Sequence, residues 1–256
     1  MLFVAVYTPD AFFYRLNMKI LRFFFLPVLM WLRHPKRRYR FLPLLQQYFS
    51  YDRREEVLTA CLGFADFNRI RGDYLEFGVW KGGSLIATYH LAKKLEYLQA
   101  MRFYAFDSFA GLPAKKGVDA EFEQFVEGEY DSSLEEVKIN LKRNGVDQSE
   151  VTFVKGWYDQ VLNEETRKKL PIKKAAIIYI DSDLYESAVP VFKFITPYIQ
   201  DGTIIIFDDW FCFNGRSDKG EQKAFREWLA NNTSFTPVDY KDFGWSGKAF
   251  IINTPM

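Results

Sequence analysis

The sequence predicts an α/β fold with a mostly parallel central sheet flanked by helices. Three observations carry this. The runs AAIIYI (175–180) and TIIIF (203–207) are apolar almost without interruption, as in strands covered on both faces. Strand-like runs alternate with helical ones, the pattern of parallel βαβ units. One strand, YLEF (74–77), also runs straight into a glycine-rich loop and a helix, the usual ligand-holding turn of such sheets.

The elements follow in order. Residues 52–70 have helical spacing, with Val57, Leu58, Cys61, Leu62 and Ala65 on one side. A turn at Arg71-Gly72-Asp73 opens the first strand, Tyr74 to Phe77, and a helix runs from Ser84 to about Glu96. The second strand is 102–106, followed by the loop DSFAGLP. After a polar stretch, Ser133 and Glu136 have capping-box spacing for a helix through Leu141, closed at Asn144-Gly145. Strands follow at 151–154, 175–180 and 203–207, then a helix at 220–230 and a last strand at 248–253.

The 256 residues fit one large domain, or one domain plus an extension. A net charge of +1 gives no basic excess that would point to nucleic acid. Cys61 and Cys212 lie too far apart for a zinc motif or a disulfide scaffold, so a reducing cytoplasm is expected. His34 and His90 are also isolated, and His90 reads as a packing or surface residue. Any metal must then rest on carboxylates, which favours Mg²⁺ or another hard cation.

Residues 1–51 differ from the main domain at 52–256. The apolar run ILRFFFLPVLMWL (20–32) contains Arg22 and Pro27 and falls short of the roughly 20 apolar residues of a spanning helix. The basic cluster HPKRRYR (34–40) follows, and no signal-peptide cleavage pattern is present. Two readings stand. One is a helical extension packed on the domain, on a second copy in a homodimer, or over the site. The other is an interfacial anchor on the inner face of the membrane.

The glycine loop holds Gly78, Gly82 and Gly83 between strand and helix, where a ligand can approach the helix N-terminus. Its spacing is not GxGxxG, which argues against a dinucleotide. Asp107 ends the second strand, where an acid can hydrogen-bond a ribose; its other reading is a loop cap before Ser108. Gly156 and Trp157 follow the third strand, with Trp157 placed to cover an adenine or simply to pack. YIDSDLYES and IIIFDDW bring Asp181, Asp183, Asp208 and Asp209 to adjacent strand ends. Four acids that close repel unless compensated. A divalent cation would resolve this, although helix caps or bonds to backbone amides also use such residues.

Together, YLEFGVWKGGSL, YAFDSFAGLP, GEYDSSLEEVKINL, VKGWYDQ, IDSDLYES, IIIFDDW and KGEQKAF resemble the macrocin O-methyltransferase family, in order from about Asp73 to Phe225. The resemblance implies a Rossmann-like class I methyltransferase fold, S-adenosyl-L-methionine as donor and Mg²⁺ as cofactor. It puts Asp181, Asp208 and Asp209 on the metal and makes Asp183 the general base. It sets Glu76, Gly78 and Ser84 around the methionine part of the donor, with Gly82, Gly83 and Asp181 beside it, and Asp107 and Ser108 at the ribose. Ser182 and Ala188 stand where the antibiotic enzymes have Gly and Thr. The expected acceptor is a hydroxyl of a sugar, glycosylated metabolite or glycan. A catechol-like small molecule would need the same chelation, and a non-catalytic, membrane-associated nucleotide-type binding protein is a further alternative.

Overall fold

The computed structural model describes residues 54–255. The expectations for residues 1–51 lie outside them. Among the described residues, no helix is long and apolar enough to cross a membrane.

A helix over residues 54–67 (α1) leads the domain, and the face expected from its spacing is fully buried. Strand β1 (Asp73–Phe77) runs through the glycine loop into α2 (Gly83–Ala92), and β2 (Phe103–Asp107) follows. The helix predicted to Glu96 ends at Ala92, and turns carry the chain on. There the Tyr97 amide donates to Asp66 Oδ1 in the last turn of α1, a contact that continued helix would forgo. A long loop reaches α3 (Leu134–Arg143), whose first turn carries both bonds of the Ser133–Glu136 capping box.

Strand β3 (Val151–Lys155), the short helices α4 (Tyr158–Val161) and α5 (Glu164–Lys169), and β4 (Ala175–Ile180) come next. After them lie α6 (Tyr185–Ile195), β5 (Thr203–Phe207), α7 (Gly220–Asn231), β6 (Thr236–Phe243) and β7 (Gly247–Asn253). The seven strands lie in the order β3-β2-β1-β4-β5-β7-β6. Strands β1 to β5 pair in parallel, while β7 is antiparallel to both β5 and β6. All residues of β4 and β5 are buried, because apolar clusters cover both faces. This is the class I methyltransferase fold.

Strand β6 was not anticipated. TPVDYKDF is half exposed at the sheet edge and carries three charges, so no apolar run marks it; its hairpin partner holds it in place.

Candidate active site

Strand order reverses between β1 and β4, and ligands of open α/β sheets bind in the crevice beyond such a switch point. Backbone bonds continue past the strand ends and fix the loops there. Gly78 N donates to Phe106 O, Asp181 N to Phe77 O, Asp208 N to Ile180 O and Gly156 N to Asp107 O. All the predicted site residues therefore lie along one edge of the sheet, in or just beyond strand ends.

On the β1 side, Glu76 is fully buried. Its carboxylate accepts from Tyr74 Oη at 2.6 Å and Ser84 Oγ at 2.7 Å. Burial pushes Glu76 up to about 7, against the pull of these two donors. Gly82 is the left-handed N-cap of α2 (φ 81°), with Gly83 its first residue and Ser84 its second. Asp107 holds the loop shape: Oδ2 accepts from the amides of Val79 (2.7 Å) and Trp80 (3.1 Å), and Oδ1 from Phe109 (2.7 Å). The loop-capping reading of Asp107 is thus realised, and a carboxylate with about four acceptor positions retains capacity for a hydroxyl. Ser108 Oγ donates to Gly111 O at 2.9 Å inside its own loop. Gly156 (φ 146°) packs where a Cβ would meet Val161, and Trp157 is the half-buried N-cap of α4.

A pH-dependent stability follows from Glu76. A carboxyl whose folded value lies above its unfolded one contributes stability that is full below the unfolded value and is lost as pH rises through about 7. Between pH 5 and pH 8 the wild type is expected to lose about 2–3 kcal/mol more than Glu76→Gln. Urea unfolding at both pH values measures this, and parallel losses would contradict it.

On the β4–β5 side, carboxylate oxygens of Asp181, Asp208 and Asp209 lie within 4.8 Å of one another. The acids are not uncompensated, as the sequence had implied. Arg54 of α1 reaches in with a two-pronged fork on Asp208, Nε to Oδ1 at 2.9 Å and Nη2 to Oδ2, and stands 3.8 Å from Asp181. Tyr179 Oη also donates to Asp208 Oδ1, at 2.7 Å. Asp209 Oδ1 accepts from Cys212 Sγ, while its Oδ2 is buried without a partner. An orphaned oxygen inside an all-oxygen donor set fits a hard divalent cation. Burial, followed by the neighbouring Asp208, pushes Asp209 up to about 6.

Asp183 is buried beside this group. Burial, followed by the charges of Asp209 and Asp181, holds it well above the usual carboxylate range. Its backbone is left-handed (φ 59°), a conformation that non-glycine residues keep where surroundings enforce it.

Three further residues escaped the sequence reading. Glu221 of α7, nearly fully buried, bonds the loops after both β4 and β5. Asp119 accepts from the amides of Tyr185 (2.7 Å) and Gly220 (3.1 Å), capping two helices and anchoring the long loop after β2. Tyr130 of that loop meets Trp80 edge-on, and the charges of Asp183 and Asp209 help raise its phenol to about 12, after burial. KGEQKAF was a partial signal for Glu221; nothing local marked Arg54, whose partner lies 154 residues away.

Fold and site together define a protein of the class I methyltransferase type. The macrocin-O-methyltransferase (TylF) family model matches residues 42–245, and the chain belongs to that family. It is 30% identical over 163 residues to a Streptomyces olivaceus tetracenomycin-C rhamnosyl 4'-O-methyltransferase, covering 62% of this chain and 60% of the relative. It is 28% identical over 165 residues to the mycinamicin III 3''-O-methyltransferase of Micromonospora griseorubida, covering 62% and 63%. The matches thus span about three fifths of these relatives' length. The calicheamicin methyltransferase CalS11 superposes with a TM-score of 0.65 at 20% identity over 96% of this chain and 94% of that one, a likeness of fold.

Proposed function

We propose that residues 52–256 form an S-adenosyl-L-methionine- and Mg²⁺-dependent O-methyltransferase that acts on a hydroxyl of a sugar or glycosylated metabolite. The observation that carries this is the direct abutment of the glycine loop on the acid cluster: a Cβ at Gly78 would lie 1.9 Å from the backbone oxygen of Asp181. A donor on the loop and an acceptor on the acids would be neighbours. Family membership and the sugar O-methyltransferases among the relatives support the same reading.

In this reading Glu76 and Ser84 hold the methionine end of the donor, and Asp107 and Ser108 lie at the ribose. Gly156 and Trp157 border the adenine. Asp181, Asp208 and Asp209 would hold the cation. Bound there, a divalent cation supplies charge that lowers the pKa of an acceptor hydroxyl and orients it. Asp183 receives the hydroxyl proton as the new C–O bond forms and the methyl–sulfur bond breaks, leaving S-adenosylhomocysteine. Holding both partners at the switch point supplies much of the acceleration, because the donor is already activated.

Calorimetry with S-adenosylhomocysteine, with and without Mg²⁺, followed by a panel of sugar and catechol acceptors, tests the reading. Asp181→Asn is expected to lower Mg²⁺ affinity about tenfold or more, at least about 1.4 kcal/mol, while S-adenosylhomocysteine still binds. Wild-type Mg²⁺ affinity and turnover in that variant would remove the cation from the mechanism.

A further inference from the structure

The transfer step leaves Glu221 unused, although it is one of the most deeply buried charged side chains among the described residues, 1% exposed. Oε1 accepts from the Ser182 amide at 3.0 Å and from Ser182 Oγ at 3.1 Å. Oε2 accepts from the Asp209 amide at 3.3 Å. Ser182 sits between Asp181 and Asp183, and Asp209 follows Asp208. A single carboxylate therefore ties together the two loops that carry all four acids.

The sheet does not perform this task. Pairing of β4 with β5 ends at Ile180 and Phe207, and the bond from Asp208 N to Ile180 O is the last rung of the ladder. Beyond it, the side chain of Glu221 bridges the loops. Its own position is set by the start of α7, where Gly220 N donates to Asp119 Oδ1. Gly220 is also left-handed (φ 49°), and a Cβ there would meet the Phe213 ring at 2.6 Å. The bridge is thus built on a closely packed helix start.

A carboxylate here is costly, being desolvated and close to Asp209 and Asp208. Cost alone does not argue function. What does is the choice of targets: each bond goes to a backbone or hydroxyl group within one residue of a candidate ligand. We propose that Glu221 is a positioning residue that sets the separation of the Asp181–Asp183 loop from the Asp208–Asp209 loop, and so tunes the cation affinity of the site. The Ser182 hydroxyl gives Glu221 its third bond. The inference rests on the reading of these acids as a cation site.

The test titrates full-length wild type, Glu221→Gln, Glu221→Ala and Ser182→Ala with MgCl₂, and separately with S-adenosylhomocysteine. Loss of such an outer contact typically weakens metal binding about 10–100-fold. That range is expected for Glu221→Ala, with a smaller loss for Glu221→Gln, whose amide oxygen still serves Ser182. Ser182→Ala leaves every charge in place and is expected to lose less, in the same direction, which separates the bridge from simple electrostatics. Affinity for S-adenosylhomocysteine should hold throughout, as a general loosening of the fold would not allow. If Glu221→Ala does not fold, the near-isosteric Glu221→Gln and Ser182→Ala decide. Unchanged Mg²⁺ affinity in the folded variants, or parallel loss of both ligands, overturns the proposal. Failure of the wild type to bind Mg²⁺ overturns the cation reading, and this inference with it.

Discussion

Asparagine at position 183 is expected to lower kcat by about 10²–10⁴-fold, the usual contribution of a general base, with S-adenosylhomocysteine affinity unchanged. The substitution is informative because it isolates one capacity. Asn tolerates the left-handed backbone that Asp183 adopts, at φ 59°. Its amide nearly matches the carboxylate in size and can donate to Asp209, whose charge neighbours Asp183. Shape survives, and only the ability to receive the acceptor's proton is lost. Alanine would confound this by disturbing the turn as well. Single-turnover methyl transfer at saturating donor and acceptor checks the effect, and a loss below tenfold would assign the base elsewhere.

Alanine at position 78 is expected to cost more than about 4 kcal/mol, in the range reserved for severe local conflicts. Gly78 is left-handed (φ 93°), and an added Cβ would lie 1.9 Å from the backbone oxygen of Asp181 and 3.2 Å from its Cβ. Neither side can withdraw easily, since Gly78 N is bonded to Phe106 O and Asp181 N to Phe77 O. Gly128 is the control: it is also left-handed (φ 81°), but an added Cβ there meets nothing within 4 Å. Ala at 128 should cost only about 1 kcal/mol. Urea unfolding of the two variants decides, and equal losses would show that the β1–β4 junction is looser than its backbone bonds imply.

The contrast between these two positions shows what a sequence can carry. YLEFGVWKGGSL announced a tight turn, but not that its first glycine lies against the carbonyl of Asp181, about a hundred residues on. The buried strands were legible because both faces are covered, which leaves an uninterrupted apolar signature at 175–180 and 203–207. The face of α1 was legible because only one side of the helix is buried, which leaves its apolar residues at helical spacing. Edge strand β6 was not, since half its residues meet water and pairing with β7 defines it. At the site, the acids were legible as a group because strand ends converge by topology. Their partners were not: Arg54 and Glu221 arrive from helices whose approach depends on packing. Asp107 and Ser108 were found as positions, while their bonds within the loops emerged only with the fold.

The loop after β2 can change its sequence at some positions and not at others. Its neck is closed by backbone bonds alone, Leu112 N to Glu129 O and Gly128 N to Leu112 O. Its anchor, Asp119, grips only the amides of Tyr185 and Gly220. None of these contacts reads a partner's side chain. Within the segment from 112 to 129, the Phe122 and Phe125 rings also pack on Phe213, so residues away from Asp119 and these two rings are the ones open to exchange. Segments grafted here with Asp119, Phe122 and Phe125 retained should seat without disturbing the loops at the strand ends.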